Sequence, residues 1–226
     1  MLDQTWQGHT PVGYDKNSFS NMQLDVGEFH HGLDWSWVTP ASDSRELADF
    51  LQKPENRKHF FGATEGGGSF SANAEYREVL ADNVLVPLAR MIQSVEITLS
   101  TDVKEFKVDT FKLALPTAFE DESGWIKATT TLLPEHYIDN VSWCGRLGDG
   151  RLVAIVIHNA INTTGLNLTL NNQGEGTVNL EFQANSTGGQ EFPFKMRVFP
   201  LPGNTAPGAE GFTAFNAEAP KKGAGK

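Results

Sequence analysis

The stretch "VEITLS", residues 95–100, decides how the rest of the chain is read. Val95, Ile97 and Leu99 alternate with Glu96, Thr98 and Ser100. That period of two places the apolar side chains on one face of an extended strand and the polar ones on the other. The same period returns where Val178, Leu180 and Phe182 alternate with Asn179, Glu181 and Gln183. It returns again where Leu166, Leu168 and Leu170 alternate with Asn167 and Thr169. All three segments read as half-buried antiparallel strands. "NNQGEG" (171–176) is a turn cluster between two of them, so 166–184 reads as a hairpin. "LVAIVIH" (152–158) is apolar on both faces and reads as a central strand.

Helical signals are few, one or two short segments. Asp43 with Glu46 three residues on forms a capping-box pattern, and Leu47, Phe50 and Leu51 follow at helical spacing before Pro54. A second helix is expected over Asp109–Leu115, with Phe111 and Leu115 on one face and Pro116 ending it. The fold class is therefore mainly β and antiparallel. No motif repeats at a fixed period, which leaves a solenoid or propeller without support.

A chain of 226 residues with 39% apolar content can build one sizeable core, and one main domain is expected. Its formal charge of -10 repels a phosphate backbone, so tight nucleic-acid binding is disfavoured while passive contact with DNA is not. The first 30 residues lack a basic head followed by an apolar run, and Leu152–Ile157 is far shorter than the roughly 20 residues a membrane helix requires, so neither export nor membrane spanning is expected. One cysteine, Cys144, makes no internal disulfide and reads as a core filler. Four N-x-S/T patterns, beginning at Asn140, Asn162, Asn167 and Asn185, read as turn and strand-edge residues.

"GATEGGGSFSA" (62–72) is the one glycine-rich stretch that invites a phosphate-binding reading. Phosphate loops run from strand to helix and carry a lysine at the helix start. Here Gly66, Gly67 and Gly68 lead into an alternating strand with no lysine beside them, so a turn or bulge with positive φ is expected. His30 and His31 lie near Asp25, Glu28 and Asp34, but adjacent strand residues point to opposite faces and share an ion poorly. There is no G-x-S-x-G elbow, and Asp121 and Glu122 sit in a loop where solvated charge is the ordinary reading. Trp35 and Trp37 flank Ser36 on one side of a strand-like segment, apt for a core or a subunit contact and, as the competing reading, for a sugar platform. Neither catalysis, nor a cofactor, nor a metal is expected.

Four blocks in fixed order carry a resemblance. They are "MQLDVGEFHHGLDW" (22–35), "FGATEGGGSFSANAEYREV" (61–79), "QSVEITLSTDVKEFKVDTFKLAL" (93–115) and the long block from His136 to Asn185. Together they resemble the major tail tube proteins of long non-contractile-tailed bacteriophages. Within that pattern Phe70, Glu75, Tyr76 and Arg77 match the strand after the glycines, Phe111 to Leu115 match the helix end, and Asn159, Asn162, Gly165, Gly174, Gly176 and Phe182 match the last block. Residues 1–20, 52–60 and those after Phe199 depart from it.

The resemblance implies an antiparallel β-sandwich or barrel-like protomer that forms hexameric rings stacked into a tube, the conduit for DNA ejection. Its partners would be other copies of itself, a tape measure protein and tail initiator and terminator proteins, with DNA passing unbound. It would be made in the host cytoplasm and reside in the virion. Glu96 and Glu181, each on the polar face of a strongly alternating strand, are the candidates for the lumen. Gly66, Gly67, Gly68, Trp35 and Trp37 are the candidates for subunit contacts. The expected organisation is an arm at 1–20, a β-domain at 21–200 with a mobile loop near 52–68, and a flexible tail at 201–226. The alternative is a secreted or surface carbohydrate-binding β-sandwich.

Overall fold

The computed structural model describes residues 18–25, 27–79, 89–170, 175–186, 188 and 191–203. Most of the expected arm, the tail beyond 203 and residues 171–174 of the expected turn lie outside the described residues. Among the described residues ten strands carry the fold: β1 (Glu28–His31), β2 (Thr64–Val79), β3 (Ala89–Val103), β4 (Ala118–Glu120), β5 (Ile126–Ala128), β6 (Ile138–Arg146), β7 (Leu152–Asn162), β8 (Asn167–Thr169), β9 (Thr177–Ala184) and β10 (Phe194–Phe199). The helices are short: α1 (Ser18–Asn21), α2 (Ser44–Gln52), α3 (Pro54–Arg57) and α4 (Val108–Ala114). The mainly β, antiparallel class read from the alternation is what the molecule adopts.

Strand order is β1-β6-β7-β9-β3-β2, with β10 added to β7 and β8 to β9, while β4 and β5 form a separate hairpin. β7 is the central strand that its apolar run predicts. It pairs with β6 along most of its length, with β10 through Leu152–Ile157 and with β9 through Ala160–Asn162. Between the last two partners sits Asn159, at φ 50°. Asparagine tolerates this left-handed backbone better than most residues. The corner is tied down because the Asn159 side chain donates to the Ser186 carbonyl (3.0 Å) and its own carbonyl accepts from the Asn185 backbone (3.1 Å).

At that corner the sheet folds over on itself. Phe29, Val141 and Ile157 from one half meet Ile97, Leu99, Val103, Val178, Leu180 and Phe182 from the other, with Ala114 of α4 closing the end. Phe61 bridges the halves, 6.2 Å from Phe29 and 5.6 Å from Phe182 between ring centroids. The sandwich is thus a single bent sheet with α4 plugged into its open side. Asn162 fixes that plug. Its amide donates to the carbonyls of Ala114 (2.5 Å) and Gly165 (3.1 Å), and its oxygen accepts from the Glu181 backbone (2.8 Å).

A second core lies on the outer face of β6 and β7, under α2. The capping box forms as read: Asp43 accepts from the Arg45 and Glu46 backbones (both 2.9 Å), and Glu46 reaches back to the Asp43 N–H (3.3 Å). Leu47, Phe50 and Leu51 are buried against Leu33, Cys144, Ala154 and Phe199.

The three glycines lie inside β2. Gly66 (φ 69°) and Gly67 (φ 79°) form a bulge between the Glu65–Asp102 and Gly68–Thr101 pairs, and the Thr101 hydroxyl donates to the Gly67 carbonyl at 2.8 Å. Gly68 is glycine for a different reason: a Cβ there would lie 2.2 Å from the Phe29 ring and 2.6 Å from the Ser100 carbonyl. Of residues 52–68, α3 and the start of β2 have regular structure. Between them, residues 59–61 run along the outer edge of β1, where His31 donates to the His59 carbonyl and Phe61 to the Phe29 carbonyl (both 3.0 Å).

Candidate functional site

At the far side of the core from α2, four strands lie in the order β8-β9-β3-β2. Cross-strand register places Ser69, Ser71, Asn73 and Glu75 of β2 on the same face as Ser100, Thr98, Glu96 and Ser94 of β3. Ser100, Thr98 and Asp102 in turn stand opposite Glu181, Gln183 and Asn179 of β9, and Asn179 and Thr177 opposite Asn167 and Thr169 of β8. The result is a continuous polar surface directly behind the core, because the intervening residues Ile97, Leu99, Val103, Val178, Leu180 and Phe182 are the buried ones.

The charge on this surface has one sign. Glu75, Glu96, Asp102 and Glu181 lie on it, and none of the four has an ion pair among the described residues. Two of them are held by neutral neighbours instead: Ser94 donates to Glu75 (2.7 Å) and Asn179 to Asp102 (2.8 Å). Among the described residues of these strands cations appear only at the two ends. Lys104 is engaged by Glu175, and Arg77 lies beyond the register shift at Glu75/Tyr76. Glu96 and Glu181, the two residues singled out from the alternation, therefore share one face of one sheet. Asp102 and Glu75 join them, and reading the same period two residues outward from "VEITLS" and on into β2 finds both.

The borders of this surface are unfinished. Among the described residues β2 and β8 each pair on one side only, leaving two strand edges without a partner there. Residues 89–97 of β3 pair with β2 alone, so the two strands project as a ribbon with Tyr76, Met91 and Ile92 exposed. At the opposite border Leu168 stands across from Val178 on the core side of the sheet, yet Leu166, Leu168 and Leu170 are exposed, Leu170 by 74%.

The remaining sequence candidates are placed as follows. Trp37 packs between Phe50 (4.8 Å) and Phe199 (6.3 Å), and Trp35 against Phe50 (5.9 Å), so both serve the second core of their own chain. They occupy a loop and not a strand. His30 and His31 do point to opposite faces of β1. His30 is buried at 3.3 Å from Glu28, whose carboxyl is held below its ordinary pKa by that hydrogen bond and by Arg57. His31 meets His59 edge-on at 5.1 Å, and burial, with the neighbouring His59, lowers its pKa to about 4. No group of three or more His, Cys, Asp or Glu is placed to hold a metal ion among the described residues. Burial pushes the Cys144 thiol up, away from reactivity. Asp121 caps the β4–β5 turn through the backbones of Ser123 (2.9 Å) and Trp125 (3.0 Å).

No family model and no curated protein matches the chain. Among solved structures the chain is similar to one described as "Crystal structure of Hcp protein", at 9% identity, covering 76% of this chain and 98% of that one with a TM-score of 0.28.

Proposed function

We propose that this chain is the building block of a tube, of the kind that forms the tail of long-tailed bacteriophages and conducts DNA. The observation that carries the reading is the four-stranded sheet, polar and anionic on one face, welded to the core on the other and open at both edges. Edge-to-edge association of β8 of one copy with β2 of the next extends the sheet while keeping every carboxylate on the same side. An association of unlike edges is heterologous and closes into a ring when the rotation allows. A closed ring removes the free edges that would otherwise recruit strands indiscriminately.

Magnitudes indicate how such a tube would grow. Covering half-exposed leucines returns on the order of 1 kcal/mol each, so the stripe Leu166, Leu168 and Leu170 supplies about 3 kcal/mol. Immobilising a partner costs roughly 4–15 kcal/mol. A single lateral contact is therefore weak, and growth requires several contacts at once, on an initiator or an existing ring. In the proposed assembly six copies form each ring, rings stack around a tape measure protein, and a terminator closes the end. The anionic face lines the lumen and repels phosphate, so DNA slides without sticking.

Negative-stain microscopy of the concentrated full-length protein tests this reading. Rings or tubes are the expected result. A protein that stays monomeric at millimolar concentration, with and without a tail-tip extract from its phage, would overturn it.

A further inference from the structure

Residues 54–60, α3 and the three residues after it, form a flap over the outer edge of β1. That strand pairs with β6 along one edge, and on the other it makes a single bridge, His30 with Phe60. Covering a strand edge with a loop is one way a protein keeps it from pairing with other chains. The cover is light. α3 buries none of its residues, His59 and Phe60 are only partly buried, and one backbone hydrogen bond of the flap, from the His31 N–H to the His59 carbonyl (3.0 Å), reaches the strand. Arg57 adds an ion pair to Glu28 (2.8 Å) and lies over the Phe60 ring (4.4 Å), and the Asn56 amide donates to the Phe50 carbonyl (2.7 Å). Beyond the flap Phe61 is sunk in the core with its own N–H on the Phe29 carbonyl, and Gly62 follows at φ 104°. Phe61 is therefore the fixed point from which 54–60 can lift.

The seam between flap and strand is built from histidine. His31 touches the rings of His59 (5.1 Å) and Phe61 (5.7 Å). Around it stand His30 on its own strand, Asp109 and Lys112 of α4, and Glu135, His136 and Tyr137 ahead of β6, several of which share with it a cavity of about 200 Å³. A proton on His31 is opposed by burial and by His59 and His30, and is favoured by Asp109. A charged ring is thus pushed off the flap and drawn towards α4.

We infer that the His31–His59 contact is a pH-sensitive latch, and that protonation of His31 loosens the flap at 54–60 and bares the outer edge of β1. The inference does not rest on tube formation, since one chain carries the whole device. Hydrogen bonding from His30, with Arg57 beside it, holds the Glu28 carboxyl below its ordinary pKa, so the Arg57–Glu28 tie persists in mild acid and the histidine pair is what changes. The closed form holds His31 at about 4, and a lifted flap returns it towards 6.5. The closed form is therefore fully favoured above pH 6.5 and loses ground as pH falls towards 4, the open population rising up to about twentyfold between pH 7 and pH 5.

The test is amide hydrogen exchange on the full chain, followed by NMR at pH 7 and pH 5, with rates corrected for the intrinsic pH dependence of exchange and repeated in low urea. The His31 N–H should exchange faster than that of Phe61 and those of β7 and β9, and its rate should not respond to low urea, which marks a local opening. It should speed up fivefold or more from pH 7 to pH 5, and His31→Gln should remove that response. Titration of the parent's His31 ring, which needs no variant, should have its midpoint well below 6.5. His31 exchange in step with β7 and β9 under urea, a rate at His31 indifferent to pH, a pH response that survives in His31→Gln, or a ring midpoint near 6.5 would each overturn the latch.

Discussion

Asn179 donates a 2.8 Å hydrogen bond to Asp102 across the pairing of β3 and β9, so the carboxylate is held by a neutral amide and not by a cation. The neighbouring Glu181 and Glu96 likewise stand among hydroxyls and amides. The face is kept anionic because no cation pairs with these carboxylates among the described residues, and that is the property to perturb. In Glu96→Lys/Glu181→Lys, tubes should still assemble. Under the proposed function each basic group placed on this face creates a phosphate contact in the lumen, so DNA delivery should fall by at least about tenfold at low salt and recover as salt is raised. Unchanged delivery at low salt would place these residues outside the DNA path.

The leucine stripe separates folding from assembly. Leu170 is largely exposed in the single chain, so Leu170→Ser should change unfolding free energy by no more than about 0.5 kcal/mol. Combined with Leu166→Ser it should abolish rings at concentrations where the parent forms them. Light scattering and urea denaturation of the same samples read the two effects independently.

Asn162 is expected to behave in the opposite way. Leu in its place leaves the Ala114 carbonyl and the Glu181 N–H without their side-chain partner inside the core. A loss of about 2–4 kcal/mol in unfolding free energy should follow, seen as a lower urea midpoint at an unchanged slope.

Two glycines of β2, two residues apart, should differ sharply. Gly66 has open space around a would-be Cβ, so Gly66→Ala costs only its left-handed backbone, roughly 1 kcal/mol. Gly68→Val meets the Phe29 ring and the Ser100 carbonyl and should yield no soluble folded protein. Comparable melting temperatures for the two would contradict this account of the bulge.

His31 makes stability depend on pH. Its folded pKa of about 4 lies below the ordinary 6.5, so the unfolded chain takes up a proton first. Stability should therefore be complete above pH 6.5 and decline as pH falls towards 4, by on the order of 3 kcal/mol in total. The facing groups are His59 and His30, which oppose a charge there, and Asp109, which favours one. His31→Gln should flatten that part of the profile in denaturation at pH 7, 5.5 and 4.5.

Much of the fold was legible because its signals are local. The period in 95–100, 166–170 and 177–183 marks strands by face, and Asp43 with Glu46 marks a helix by chemistry that acts over three residues. β10 is harder to read: Phe194, Met196 and Val198 alternate with Lys195 and Arg197, but Pro193 and Pro200 on either side are loop signals. The fold-over at Asn159 was not legible, since a left-handed asparagine has no sequence signature apart from the residues that hold it, Asn185 and Ser186. The anionic face was half visible, as Glu96 and Glu181, and its completion by Glu75 and Asp102 needed the register.

The alternation of β3 and β9 also has a genetic consequence. Because outward positions need only be small and polar, exchanges among Ser, Thr, Asn and Gln along 94–102 and 177–183 should be nearly silent. Loss of one codon there shifts every following residue to the opposite face and turns leucines outward and carboxylates into the core. The gene should therefore accept many misspellings in these strands and almost no frame-preserving deletions, except at Gly66–Gly67, where the bulge already absorbs a slip in register.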